Sequence, residues 1–154
     1  MEKIKIERAK IEDAAGILDL QKAAFLSEAK LYNCLEIAPM KEPINQIQKE
    51  IQTKIVLKAV IDNKIVGAVR GFLENDICRI SRFCVHPDWQ SRGIGTSLMA
   101  EIEKAFASAK RFELWTGDKS TRNLYLYQKL GYKIFRTKKF DENGNMIFLE
   151  KTIK

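Results

Sequence analysis

Two glycines, Gly93 and Gly95, stand one residue apart between Arg92 and Thr96 in the segment QSRGIGTSL. An apolar run precedes this segment and an amphipathic one follows it, so the glycines are expected to join a strand to a helix. The first turn of a helix carries unpaired N–H groups and the positive end of the helix dipole. Glycines let an anion approach those groups without side-chain obstruction. The pattern therefore favours phosphate binding, with a purely structural turn as the alternative.

Other chemistry is poorly supported by the residue types. The P-loop pattern GxxxxGK[ST] is absent from the sequence, and no third glycine follows the GxG at dinucleotide-fold spacing. The single histidine, His86, has no metal-ligand partner in the pattern, and Cys34, Cys78 and Cys84 form no CxxC pair. We therefore expect no metal site and reduced thiols.

Length and composition limit the classes of protein to which this sequence can belong. The 154 residues suffice for one domain with a substantial core, and a single domain over residues 1–154 is expected. The net charge of +7 favours an anionic ligand or a nucleic acid, but the basic residues form no long block. The charged amino-terminus lacks a signal-peptide core, and no apolar run approaches the ~20 residues that span a bilayer. We expect a cytoplasmic protein without a membrane or nucleic-acid partner.

The elements that position the glycine turn follow from hydrophobic periodicity and turn signals. In chain order they are a strand at 4–6, a helix over 11–29, a loop over 31–43, a short helix over 44–52, strands over 54–61, 64–73 and 76–85, a helix from 94 to 109, a strand over 111–116, a helix over 120–131 and strands over 132–139 and 146–153. This β-α-α-β-β-β-α-β-α-β-β order predicts an α/β fold. Its mixed, mostly antiparallel sheet has about seven strands and about four flanking helices.

Two segments together resemble a known family. RFCVHPDWQSRGIGTSLM is similar to the acetyl-CoA-binding motif of the GNAT acyltransferases, Q/R-x-x-G-x-G/A after a strand ending in V-x-P; the matching residues are Val85, Pro87, Gln90, Gly93 and Gly95. NLYLYQKLGYKIF resembles the family's second motif, lYeklGF, and one predicted strand separates the two as in the family. The element order also matches, so the resemblance covers nearly the whole chain and implies a GNAT-like fold.

The resemblance implies acetyl-CoA as co-substrate and assigns residues to it. Backbone groups of Phe83 and Val85 would bind the pantetheine arm as an added strand, and N–H groups from Ser91 to Thr96 would surround the pyrophosphate. The implied cofactor-binding residues are Phe83, Cys84, Val85, Gln90, Ser91, Arg92, Gly93, Ile94, Gly95, Thr96, Asn123 and Tyr127.

Tyr127 matches the family's general acid, which protonates the departing CoA thiolate. Many members place a cofactor-contacting asparagine seven residues earlier, whereas this chain has Ser120 there. Asn123 is the alternative source of an amide contact. Tyr125 is expected to point elsewhere and to pack.

The base is the least determined part of the site. The strand RISRFCV has no carboxylate, although some family members place one there. Glu28 and Glu36 fall in the region that forms the family's acceptor site, and Glu74 ends the third central strand, so each is a candidate to relay a proton through water. We predict Glu28 as the base or an acceptor contact, with Tyr32 and Glu36 lining the acceptor site.

The function implied by the resemblance is transfer of the acetyl group of acetyl-CoA directly to a primary amine of a small molecule or protein. The alternative is a catalytically inactive CoA-binding sensor or regulatory module of the same fold. A basic nucleic-acid-binding protein is a third class, for which the sequence carries no recognisable motif. Dimers are common in the family, so the resemblance also implies a homodimer as one assembly.

Overall fold

The computed structural model describes residues 3–152, which form a seven-stranded mixed sheet and five α-helices. The strands are β1 (Lys5–Arg8), β2 (Ile55–Ile61), β3 (Lys64–Glu74), β4 (Ile77–Val85), β5 (Arg111–Gly117), β6 (Lys133–Asp141) and β7 (Gly144–Thr152). The helices are α1 (Ala14–Leu31), α2 (Ala38–Lys41), α3 (Ile44–Thr53), α4 (Ile94–Ala105) and α5 (Thr121–Lys129), with 3-10 turns at Ile11–Asp13 and Pro87–Trp89.

The strand order is β1-β2-β3-β4-β5-β7-β6, and every neighbouring pair is antiparallel except β4 with β5. The predicted mixed, mostly antiparallel α/β fold is therefore confirmed. One prediction for the last strand, its end at Ile153, lies outside the described residues.

The structure contains one short helix more than the sequence predicted. α2 lies inside the segment expected to be a loop, and Pro39 occupies its first turn. Proline is compatible with a helix there, because first-turn N–H groups have no partner within the helix. Pro39, which was expected to interrupt a helix, therefore lies in the first turn of one.

Different helices cover the two faces of the sheet. On one face, Ile17 of α1 and Ile47 of α3 pack in a cluster with Val56 of β2. On the other face, α4 and α5 pack over the larger core. α4 lies so close to β3 that a Cβ at Gly67 would be 2.8 Å from the Leu98 side chain. Among residues 3–152, no helix is long and apolar enough to cross a bilayer.

A charged cluster is buried between the sheet and the α1–α3 layer. Arg70 of β3 is 2% exposed and donates to both carboxylate oxygens of Glu42, at 2.9 and 2.7 Å. Arg70 also donates to Gln21 Oε1 at 2.8 Å, and Gln21 Nε2 donates to the Pro39 carbonyl at 3.0 Å. The cluster thus links the segment between α1 and α3, which contains α2, to β3 in the centre of the sheet.

Candidate active site

β4 and β5 run parallel but pair only at their beginnings. Residues 77–79 of β4 pair with residues 111–113 of β5, although β4 continues to Val85 and β5 to Gly117. Arg82, with a φ of 51°, lies at a register shift between β4 and β3. Such a bulge bends a strand and increases its twist. From Ile80 onward, on both sides of this bulge, the backbone groups of β4 that face β5 have no partner from that strand, which leaves an opening between the two strands.

α4 begins at the mouth of this opening. Gly93, its N-cap residue, has a φ of 83°, which side-chain-bearing residues rarely adopt. Gly95 is required for a different reason, because a Cβ there would be 2.9 Å from Phe83 Cζ and 3.3 Å from Leu126 Cδ2. The N–H groups of the first turn have no acceptor within the helix. The predicted glycine turn therefore presents backbone donors beside the opening, as anion binding requires.

Cationic side chains surround the same turn. The Arg92 guanidinium lies over the Trp89 ring, 4.7 Å from its centroid. Arg122, in the first turn of α5, donates to Ser91 Oγ at 3.4 Å. Arg122 was not identified from the sequence as part of this site. Its position at the start of the helix that follows β5 is the feature that could have indicated a basic residue here. His86 has a local role, since its Nδ1 accepts the Asp88 N–H at 3.1 Å.

Tyr127 of α5 closes the inner end of the opening. The side chain is 4% exposed, and its ring packs edge-on against Phe83 with centroids 5.8 Å apart. Burial raises the pKa of the Tyr127 phenol well above its ordinary value, and the charge of Glu28 raises it further. The hydroxyl therefore keeps its proton at neutral pH and is able to donate it.

Ser120, Glu28 and Tyr32 meet beside Tyr127. Ser120 Oγ donates to Glu28 Oε2, and the Tyr32 hydroxyl lies 2.9 Å from Ser120 Oγ. The Lys119 N–H donates to the Tyr32 hydroxyl at 2.9 Å. Ser120 is 4% exposed and its hydroxyl is held on the Glu28 side. Sequence reasoning placed Glu28 and Tyr32 near the acceptor but missed that Ser120 joins them.

The residues that the resemblance assigned to a cofactor lie on β4, on α5 and on the connection from β4 into α4. Phe83, Cys84 and Val85 are on β4; Gln90, Ser91, Arg92, Gly93, Ile94, Gly95 and Thr96 form the connection to α4 and its first turn; Asn123 and Tyr127 are on α5. Gln90 Nε2 donates a long hydrogen bond of 3.5 Å to the Val85 carbonyl. Burial raises the pKa of the Cys84 thiol to about 12, so it is neutral.

The sequence model of the acetyltransferase (GNAT) domain family matches residues 52–134, which include β4, α4 and α5. The chain belongs to the GNAT acetyltransferase family. A relative from Bacillus subtilis (strain 168), named uncharacterized N-acetyltransferase YjcF, is 28% identical over 125 residues, which are 80% of this chain and 85% of the relative.

Two solved structures share the GNAT fold of this chain. The paiA N-acetyltransferase from Thermoplasma acidophilum, in complex with coenzyme A, has a TM-score of 0.86 at 18% identity and covers 98% of this chain and 99% of its own. YncA, a putative acetyltransferase from Salmonella typhimurium with its cofactor acetyl-CoA, has a TM-score of 0.79 at 13% identity and covers 99% and 95%.

Two other sequence-predicted carboxylates lie on the β3 end and in the turn after α1. Glu74, the last residue of β3, pairs with Ile77 at the beginning of β4, away from Val85, and its carboxylate lies 2.9 Å from Arg79 Nε. Glu36 is exposed in the turn between α1 and α2, and the contacts described for residues 3–152 do not connect it to Glu28.

Tyr125 was expected to pack, and the structure contradicts this expectation. Its side chain is 70% exposed because α5 turns a single face, that of Tyr127, toward the core of the GNAT domain. Among residues 3–152, no group of three or more His, Cys, Asp or Glu side chains is placed to hold a metal ion.

Proposed function

We propose that this protein is an N-acetyltransferase that moves the acetyl group of acetyl-CoA directly to a primary amine of a small molecule or a protein. The observation that carries the proposal is the opening between β4 and β5, which faces the first turn of α4 in a chain of the GNAT family. The coenzyme A and acetyl-CoA named with the two similar structures support the same ligand.

The residues present fit the pantetheine arm and the pyrophosphate of acetyl-CoA. Phe83 to Val85 lie in a stretch of β4 that pairs with β3 on one side and has no β5 partner on the other, where it would hydrogen-bond the pantetheine arm as an added strand. The N–H groups from Ser91 to Thr96 would bind the pyrophosphate, with Arg122 adding positive charge. Since the Ser120 hydroxyl bonds Glu28 and Tyr32, we assign the amide contact to Asn123.

The chemistry then follows from three groups. A backbone N–H near Val85 polarises the thioester carbonyl, and the neutral amine attacks its carbon. The C–S bond breaks with its electron pair on sulfur, and the Tyr127 hydroxyl gives its proton to the thiolate. The new amide nitrogen gives its surplus proton to the Glu28 carboxylate, through water where the distance requires it. Water then carries that proton from Glu28 to the Tyr127 phenolate, which regenerates both residues, and the net products are the acetylated amine and free CoA.

Acetyl-CoA is expected to stabilise the protein against heat, and Gly95→Val is expected to abolish the effect. At a hundredfold excess over Kd, binding contributes about 2.7 kcal/mol. For a chain of this size that raises Tm by about 5–10 °C. The valine would displace the Phe83 ring and obstruct the first turn of α4. Differential scanning fluorimetry measures both effects.

Ala105→Val is the matched control, because Ala105 is exposed at the other end of the same helix. Its Tm shift with acetyl-CoA should equal that of the wild type. Absence of any shift for the wild type at millimolar acetyl-CoA would overturn the proposal.

Thiol release separates the enzyme from an inactive CoA-binding module. We expect the wild type to release free CoA from acetyl-CoA when hexylamine, a lysine-containing peptide or a peptide with a free α-amino group is supplied. A thiol-reactive dye follows the reaction, and mass spectrometry identifies the acetylated amine. Thermal stabilisation by acetyl-CoA without thiol release for any amine would favour the inactive module.

A further inference from the structure

We infer that Tyr32 and Ser120 are positioning residues that hold the Glu28 carboxylate for acetyl transfer through a one-way chain of hydrogen bonds. The inference rests on the proposed function and adds two residues to it. Ser120 stands where many GNAT members have a cofactor-contacting asparagine, and its hydroxyl turns instead toward Glu28.

The direction of the chain follows from counting protons. Ser120 has a single hydroxyl proton, which it donates to Glu28 Oε2. In the 2.9 Å contact between Tyr32 and Ser120, the tyrosine must therefore be the donor. The Tyr32 oxygen in turn accepts the Lys119 N–H at 2.9 Å. Each donor thus points toward Glu28, from the backbone of residue 119 to the carboxylate.

The fold makes space for this chain. Tyr32 is the C-cap residue of α1, Ser120 is the N-cap residue of α5, and they are 88 residues apart in sequence. A Cβ at Gly117 would overlap the Tyr32 hydroxyl, and one at Gly144 would lie 2.8 Å from the Tyr32 ring. The absence of side chains at these two strand positions lets Tyr32 reach Ser120.

The protonation state of Tyr32 suits a donor. Burial raises the pKa of the Tyr32 phenol above its ordinary value, with the charges of Glu28 and Asp118 acting in the same direction. The hydroxyl consequently keeps its proton at neutral pH and continues to donate it to Ser120.

The consequence for Glu28 is a fixed orientation. Hydrogen bonds to a carboxylate are stronger than neutral ones, and bonds in a chain polarise one another. The hydrogen-bond chain occupies Oε2 of Glu28, so Oε1 is the oxygen that faces the amine proton in the proposed reaction. Tyr32, expected from sequence to contact the substrate, acts on it through Glu28.

Turnover of the best amine in the panel tests the chain. Losing the bond to the carboxylate in Ser120→Ala should lower kcat about tenfold, and Tyr32→Phe should lower it about threefold. The KM for acetyl-CoA should stay unchanged, since neither hydroxyl faces the α4 turn. Ser120→Thr keeps the hydroxyl and should restore most of the activity.

Matched controls come from exposed residues of the same types. Tyr125→Phe removes a phenol that is 70% exposed on α5, and Ser108→Ala removes an exposed hydroxyl after α4. Both variants should turn over as the wild type does.

The decisive comparison uses Glu28→Gln as background. Because Tyr32 and Ser120 act through the carboxylate, adding Ser120→Ala or Tyr32→Phe to Glu28→Gln should cause no further loss of kcat. A second, multiplicative loss would show a merely structural role and overturn the inference. If the wild type is active and Ser120→Ala is equally active, the inferred hydrogen-bond chain is overturned while the proposed function stands. A wild type that acetylates no amine would overturn the proposed function together with it.

Discussion

Replacing Tyr127 by phenylalanine is expected to lower kcat about a hundredfold, the scale of general acid catalysis, while the Kd for CoA stays nearly the same. The Tyr127 ring is buried against Phe83, so phenylalanine fills the same space and only the hydroxyl is lost. Because burial keeps this phenol protonated, its proton is the one available to a departing thiolate. Steady-state thiol release and CoA titration measure kcat and Kd separately.

Tyr132→Phe provides the matched control for this variant. Tyr132 is 2% exposed and its ring lies 6.1 Å from that of Tyr127, but its hydroxyl donates to Glu103 Oε2 at 2.9 Å on the far side. We expect this control to lose stability, by about 1.5–3 kcal/mol for a bond to a charged group, with kcat unchanged. Unchanged turnover in Tyr127→Phe would remove Tyr127 from the role of general acid.

Arg70→Met is expected to cost about 3–5 kcal/mol of unfolding free energy, the scale for breaking a buried ion pair. The substitution removes two hydrogen bonds from Glu42, which is 7% exposed, and leaves that carboxylate buried beside the methionine. Gln21 would also lose the donor to its Oε1, while its own bonds to Glu42 and to the Pro39 carbonyl remain. Urea denaturation followed by tryptophan fluorescence measures the change.

Arg79→Met is the control on the neighbouring strand. The Arg79 side chain is 43% exposed, its partner Glu74 is 54% exposed, and its more buried partner Glu113 keeps Arg111, so the loss should stay under about 1 kcal/mol. Equal losses for the two variants would contradict the importance of the buried cluster.

Lowering the pH should reduce the loss of unfolding free energy that Arg70→Met causes. Burial raises the pKa of Glu42, but the hydrogen bonds and charge of Arg70 outweigh it and hold that pKa below the ordinary value of 4.5. A depressed pKa contributes stability above pH 4.5, and the contribution is lost as pH falls through the folded-state pKa. The difference between wild type and variant should therefore be full at pH 7 and shrink below pH 4.5.

Much of the fold was predictable because its signals are local. The predicted strands over 54–61, 64–73 and 76–85 correspond to β2, β3 and β4, and the turns between them are Asp62–Asn63 and Asn75–Asp76, with φ values of 49°, 64°, 52° and 66°. Tight hairpin turns require such positive φ values, which Asn and Asp tolerate better than most residues. α2 was missed because the rule that proline interrupts helices does not apply to a first turn.

The sequence by itself determined the order of the strands and of every helix except α2, the glycine turn before α4 and the position of Tyr127 on α5. These features depend on backbone conformation and on side-chain period, both of which act over a few neighbouring residues. Only the tertiary structure decided that Ser120 bonds Glu28 across 92 residues and that Arg70 bonds Glu42 across 28. Periodicity indicates which face of an element a side chain occupies, but the packing of the elements decides its partner. The sequence therefore proposed Glu28 as the base, whereas its partner Ser120 was identified only in the folded chain.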